Sequence, residues 1–260
     1  MPSHELSTAA LWAIGIMSVF VGGFAAMLGI GGGIVLVPLL ISAFGIDAIH
    51  ARSASLAAVC VTSLAASVVY LREGQTNIVE AGYLQLPTAV GAITGALIGK
   101  RLDETLIRFL FAAMVVLSAI RMFKRPAPKP DGTEPQKRWM AAIIACLAGG
   151  IISSLLGVGG GIIFVPVLAL LMHLPQRAAS ATSTYLIGLT TAASALLYFR
   201  AGQMDVGLAV PCAAGILVGA QIGARLSGKV DGLRLRRAFA LLMFANAALL
   251  FRSVYRAWVA

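Results

Sequence analysis

Ten apolar runs separated by short polar breaks follow one another along the chain: about 9–28, 34–46, 53–71, 82–99 and 106–120, then 139–156, 162–174, 180–197, 206–224 and 238–251. Most approach the roughly 20 residues that a helix needs to cross the hydrocarbon core of a bilayer. They are continuous rather than alternating and far longer than barrel strands, which excludes a membrane β-barrel. The pattern predicts an all-α, polytopic membrane helix bundle. The run at 34–46 spans only about 20 Å as a helix, too little for a core of about 30 Å, and is expected to be a half-helix.

Composition agrees. Of 260 residues, 59% are hydrophobic and only 12% charged, with a mean hydropathy of +0.92, whereas soluble domains carry about a quarter charged residues. The net charge of +10 would suggest nucleic acid in a soluble protein. Here the Lys and Arg residues occupy the breaks between apolar runs, where they set membrane orientation. The expected surroundings are therefore a lipid bilayer, crossed several times, with no nucleic acid as partner. The first run is expected to be retained rather than cleaved, since "MPSHELSTAA" offers no basic residue for a signal peptide. Cys60, Cys146 and Cys212 have no CxxC spacing and no neighbouring His, so neither a disulfide nor a metal or other cofactor is expected.

The runs repeat. "MLGIGGGIVLVPLL" (27–40) returns as "LLGVGGGIIFVPVL" (155–168). At the same offset of 128, Ser55 pairs with Ser183, Thr62 with Thr190, and "YLREGQ" (70–75) with "YFRAGQ" (198–203). Beyond these the offset falls to 124, pairing Pro87, Gly91, Gly95 and Gly99 with Pro211, Gly215, Gly219 and Gly223, as if the first copy carried one additional turn near 79–86. The expected organisation is a first membrane repeat at 1–123, a cytoplasmic linker at 124–138 and a second membrane repeat at 139–260. The linker, rich in Pro and charge, has no apolar face. Five crossings per copy would invert the second relative to the first and place thirteen of the twenty basic residues on one side; four crossings would leave the copies parallel, with ten on each side. The positive-inside bias favours the inverted arrangement, with the linker in the cytoplasm and both ends outside.

Three adjacent glycines before a short helix let the chain break and turn its amides toward one point, and the following helix start offers unpaired N–H groups at the positive end of its dipole. Pro38 and Pro166, five residues past the last glycine, remove one helical hydrogen bond each. Broken helices at matching places in two repeats point to a transporter's midplane site. The candidate site is therefore Gly29, Gly31, Gly32, Gly33 and Pro38 in the first copy, with Gly157, Gly159, Gly160, Gly161 and Pro166 in the second. The runs lack the Lys-Ser/Thr of a nucleotide loop and follow no strand. The four-residue ladders Gly91–Gly95–Gly99 and Gly215–Gly219–Gly223 read instead as helix packing.

Ser55 with Thr62, and Ser183 with Thr190, lie seven apart, two turns along one helix face. They could donate to an oxyanion, or equally bond carbonyls of their own helix. No Asp, Glu, Lys or Arg falls in the middle of an apolar run, and Glu80, Asp47 and Asp205 read as connections. An anion is then expected to be held by amides and hydroxyls rather than by a buried cation, and to move in response to membrane potential rather than to a proton. His50 and His173 read as membrane-edge residues.

The paired "GIGGGIVLVPLL" and "GVGGGIIFVPVL", followed by "SASL" and "ATST" in a chain of this length, resemble the sulfite exporter TauE/SafE family of membrane permeases over nearly the whole sequence. The resemblance implies a multi-pass transporter of the cell's inner membrane, with a small anionic partner that contains sulfur, such as sulfite, thiosulfate or an organosulfonate. The family's Ala-Thr-Ser pattern is met at Ala181–Ser183, which adds Thr182 to the candidates; the first copy has Ala54 in the corresponding place. An enzyme is set aside, because no HExxH, paired carboxylates or Cys/His set falls within the helices. A membrane scaffold or an anion channel subunit remains the alternative.

Overall fold

The computed structural model describes residues 7–28, 32–99, 102, 106, 109–110 and 137–226. Among them eight α-helices run end to end: α1 Thr8–Leu28, α2 Gly33–Phe44, α3 Ala48–Arg72, α4 Ile78–Gly99, α5 Trp139–Leu156, α6 Gly161–Leu170, α7 Gln176–Arg200 and α8 Val206–Leu226. The runs expected at 106–120, but for three residues, and at 238–251, together with the linker except Lys137 and Arg138, lie outside the described residues. Helices α1, α3, α4, α5 and α8 are long and apolar enough to cross a membrane. Helix α7 is as long as α3, but its Ser and Thr residues make it more polar, and it packs against α3, α4 and α6.

Large apolar side chains face outward. Trp12, Ile16, Phe20 and Phe24 form an exposed stripe at four-residue spacing on α1, and Val206, Val210, Val218 and Ile222 do the same on α8. These faces suit lipid. Inside, where hydrocarbon offers no hydrophobic drive for helices to associate, close backbone approach takes over. The glycine ladders supply it. Gly215, Gly219 and Gly223 of α8 lie against the carbonyls of Gly15, Val19 and Gly23 of α1, while Gly91 and Gly95 of α4 lie against those of Leu147 and Ile151 of α5. A methyl group at any of these positions would collide with backbone. In both pairs the numbers rise together, so α1 runs parallel to α8 and α4 parallel to α5.

Helices α3 and α7 cross between these pairs in opposite directions. Ser53 Oγ donates to the Gln203 carbonyl, Cys60 is hydrogen-bonded to Thr191, Gly188 packs on Leu64, and the Asn77 amide donates to Thr182 Oγ1. The expected repeat at an offset of 128 pairs α3 with α7, and these two helices are antiparallel. Arg72, Lys137, Arg138 and Arg177 consequently share one end of the bundle, opposite Asp47, Arg200 and Asp205.

The two short helices are 12 and 10 residues long, about 18 and 15 Å at 1.5 Å per residue, and neither spans a bilayer alone. Helix α2 is enclosed by protein, with Ile34, Val35, Leu36 and Leu40 fully buried. The start of α2 is thereby kept from lipid, so that amides there without helical partners are not exposed to hydrocarbon.

Candidate functional site

The second glycine run turns through three left-handed residues. Gly157 (φ 72°) caps α5, its N–H bonding the Ser153 carbonyl at 2.9 Å, and Gly159 (φ 83°) and Gly160 (φ 78°) complete the turn. Side chains are disfavoured here twice over, by the positive φ and by space: a Cβ on Gly157 would lie 2.6 Å from Arg52 Cβ, and one on Gly160 2.6 Å from the Phe164 ring. Helix α6 then starts at Gly161, and its first hydrogen bonds run from the Ile163 and Phe164 amides to the Gly160 carbonyl, both at 2.9 Å. The Gly161 and Ile162 amides precede those bonds.

The first run is built differently. Gly32 has an ordinary φ of −69°, so the left-handed turn of the second copy has no counterpart at this residue. Its carbonyl accepts from the Val35 and Leu36 amides at 3.2 and 3.0 Å, with the Gly33 and Ile34 amides ahead of them. Gly29 and Gly31 lie outside the described residues. Pro38 is buried inside α2, and Pro166 half-buried inside α6.

The two runs meet. A Cβ on Gly33 would stand 2.6 Å from the Gly157 carbonyl oxygen and 2.9 Å from Ser55 Oγ, and Ser55 Oγ donates to that carbonyl at 2.7 Å. The start of α2, the end of α5 and the middle of the buried face of α3 thus converge on one point.

One helical turn before Ser55 lies a residue that hydropathy concealed. The sequence reading found no basic residue inside an apolar run and expected no buried cation; in the structure α3 begins at Ala48, not at 53, and Arg52 is fully buried. Its Nη2 donates to the Gly99 carbonyl at 2.7 Å and its Nη1 to the Leu155 carbonyl at 3.2 Å. Its guanidinium carbon stands 5.0 Å from the centre of the Tyr198 ring. Tyr198 is itself buried, and its hydroxyl donates to the Ser154 carbonyl at 3.3 Å. Because α4 and α5 are parallel, both bring the negative ends of their dipoles here, where a cation is most stable. This convergence depends on tertiary packing and leaves no trace in a hydropathy profile.

The hydroxyls divide. Thr62 Oγ1 donates to the Ala58 carbonyl at 3.0 Å and Thr190 Oγ1 to that of Leu186 at 2.6 Å, so both bond their own helices. Ser55 reaches across to the turn after α5. Thr182 accepts the Asn77 amide at 3.0 Å, and Ser183 is buried with no partner for its Oγ among the described residues. The antiparallel register of α3 and α7 sets Thr62 level with Thr190 at the crossing and carries Ser55 and Ser183 away from it on opposite sides. Glu80, expected in a connection, occupies the first turn of α4 and is enclosed.

The sequence profile of the sulfite exporter TauE/SafE family matches residues 14–250. The chain belongs to that family. Among curated TauE/SafE-like relatives, a protein of Xylella fastidiosa (strain 9a5c) named "Probable membrane transporter protein" is 26% identical over 243 residues, covering 91% of this chain and 92% of its own. The similarly named YunE of Bacillus subtilis is 22% identical, covering 83% and 88%. MJ0441 of Methanocaldococcus jannaschii is 26% identical, covering 85% and 88%. No solved structure gives a significant match. The TauE/SafE chain is thus a multi-pass membrane protein of a transporter family, which accords with setting an enzyme aside.

Proposed function

We propose that this transporter carries small sulfur-containing anions such as sulfite, thiosulfate or organosulfonates across the inner membrane, holding the anion where the two glycine runs meet. The observation that carries the reading is the convergence of the α2 start and the Gly157–Gly160 turn at Ser55, one helical turn from the buried Arg52. Amides at a helix start favour an oxyanion, and in a medium of low dielectric a guanidinium nearby repels cations over several ångströms. Arg52 replaces the earlier expectation of a site without a cation: it acts through its field while its donors serve the helix ends. Gly33 and Gly161, whose amides precede the first bonds of α2 and α6, are the first candidates for contact. Ser55 and Gly157 frame the point, with the hydroxyl and the amide given to the Gly157 and Ser153 carbonyls. Thr182 and Ser183 lie on the far side of the α3–α7 crossing, and Thr62 and Thr190, bonded within their own helices, are the weakest.

The reading includes two inverted copies, 1–123 and 139–260, around a cytoplasmic linker at 124–138. The antiparallel α3 and α7 and the shared basic end support it. The test is uptake of radiolabelled sulfite into liposomes containing only this chain, with thiosulfate, taurine and chloride as competitors. Saturable uptake suppressed by the sulfur anions and not by chloride is expected. Non-saturable flux would indicate a channel, and no flux a scaffold.

A further inference from the structure

We infer that Glu80 is a proton-binding site that couples anion movement to a pH gradient, an inference that rests on the transport reading above. Among the described residues Glu80 is the buried carboxylate: its side chain is 2% exposed, while Asp47, Glu73 and Asp205 all reach solvent. Oε1 accepts from Lys137 Nζ at 2.7 Å, and Oε2 has no partner among the described residues. The two partners are unequally placed. Lys137 is 48% exposed and can turn its ammonium to water, whereas Glu80 cannot follow. Once the pair opens, an enclosed carboxylate is stable only when protonated. Pairing and protonation are therefore alternative states of one site.

The site is connected to the candidate anion path. The Glu80 amide donates to Asn77 Oδ1 at 3.3 Å, and the Asn77 amide to Thr182 Oγ1 at 3.0 Å. Thr182 precedes Ser183, a buried hydroxyl with no partner among the described residues. The fold itself does not call for a charge here. Counted from the shared turns "REGQ" and "RAGQ", the matching residue of the second copy is Leu208, also buried. Among the described side chains, the other charged or titratable groups at this end are Arg138 ahead of α5, His173 and Arg177 around the start of α7, Tyr185 on α7, Tyr70, Arg72 and Glu73 at the end of α3, and Tyr83 on α4. All are exposed or half-exposed.

The test uses the full chain in liposomes, as wild type, Glu80→Gln and Glu80→Asp, each checked for equal incorporation. The transported probe is radiolabelled thiosulfate, whose own charge does not change across the pH range used. The first readout needs no transport: infrared difference spectra between neutral and acid pH should show, beside the band of the other carboxyl groups, a protonated-carboxyl component in the wild type that is missing in Glu80→Gln and shifted in Glu80→Asp. In the second, an imposed pH gradient should accelerate thiosulfate flux several-fold in the wild type, to a smaller extent in Glu80→Asp, and not in Glu80→Gln, which should still exchange thiosulfate at equal pH. Identical spectra for wild type and Glu80→Gln would overturn the inference, as would an undiminished gradient response in Glu80→Gln. Absence of thiosulfate flux in every form would count against the sulfur-anion reading, and the spectra would still decide Glu80.

Discussion

Replacing Arg52 by Met tests whether a buried cation holds the ends of α4 and α5 together. Methionine fills much of the same volume and removes the donors to the Gly99 and Leu155 carbonyls. Each carbonyl left without its donor in a buried place costs about 1–3 kcal/mol, or about 2–6 kcal/mol for the two. The lost stacking on Tyr198, about 2 kcal/mol when desolvated, is offset in part because no guanidinium need be dehydrated. A net loss of about 2–6 kcal/mol stands. At roughly 2–4 °C per kcal/mol for a chain of this size, the detergent-solubilised protein should melt about 5–20 °C lower, followed by tryptophan fluorescence or by monodispersity after heating. Arg52→Lys keeps the charge without the planar fork and should fall between the two. Uptake of sulfur anions should survive in Arg52→Lys and be lost in Arg52→Met at temperatures where both stay folded. An Arg52→Met protein that melts and transports like the wild type would refute both the capping role and the field at the anion site.

Other substitutions separate the two glycine runs and the hydroxyls. Gly160→Ala should lower folded yield or uptake far more than Gly32→Ala, because Gly160 combines φ 78° with a Phe164 ring 2.6 Å from the new methyl, whereas Gly32 has φ −69° and meets only the flexible end of Ile216 at 3.1 Å; the left-handed conformation alone costs about 1–2 kcal/mol, and the opposite ranking in a thermal-stability assay would contradict it. Ser55→Ala should cost about 1 kcal/mol for its lost hydrogen bond and reduce anion uptake, while Thr62→Val and Thr190→Val should change uptake little; loss of uptake in the threonine variants would place those hydroxyls in the path. Compartment reporters placed after Ala260 and near Gly132 should read opposite sides of the membrane, and the same side for both would favour parallel copies.

Much of this architecture is legible in the sequence because a bilayer punishes exposed backbone and charge so heavily. Hydropathy alone marks α5 at 139–156 and α1 within a residue of its start, and it shows that 34–46 is too short to cross. The ladder spacing of Gly215, Gly219 and Gly223 foretells a close helix contact, though not that the partner is α1. Arg52 and Glu80 are hidden for a common reason. Each stands within a turn of a helix end, where a profile averages it with polar flanks, and its burial is decided by other helices arriving from far along the chain. The difference between Gly32 and Gly160 is hidden too, since identical glycines adopt either sign of φ. Thr62 and Thr190 share the spacing of Ser55 and Ser183, and only the position of a neighbouring helix decides which hydroxyl bonds its own carbonyl.

The glycine seams also bear on how such a chain comes to be assembled. Helix α1 is made first, yet the surface that Gly15, Val19 and Gly23 offer is closed only by α8, some two hundred residues later, and α4 waits likewise for α5. Each seam joins one helix from either half. During synthesis the first half therefore sits in the membrane with two unmated backbone surfaces, and the second half completes it rather than docking as a finished body. In motion the same seams bind helices of different halves into pairs, so that α1 travels with α8 and α4 with α5.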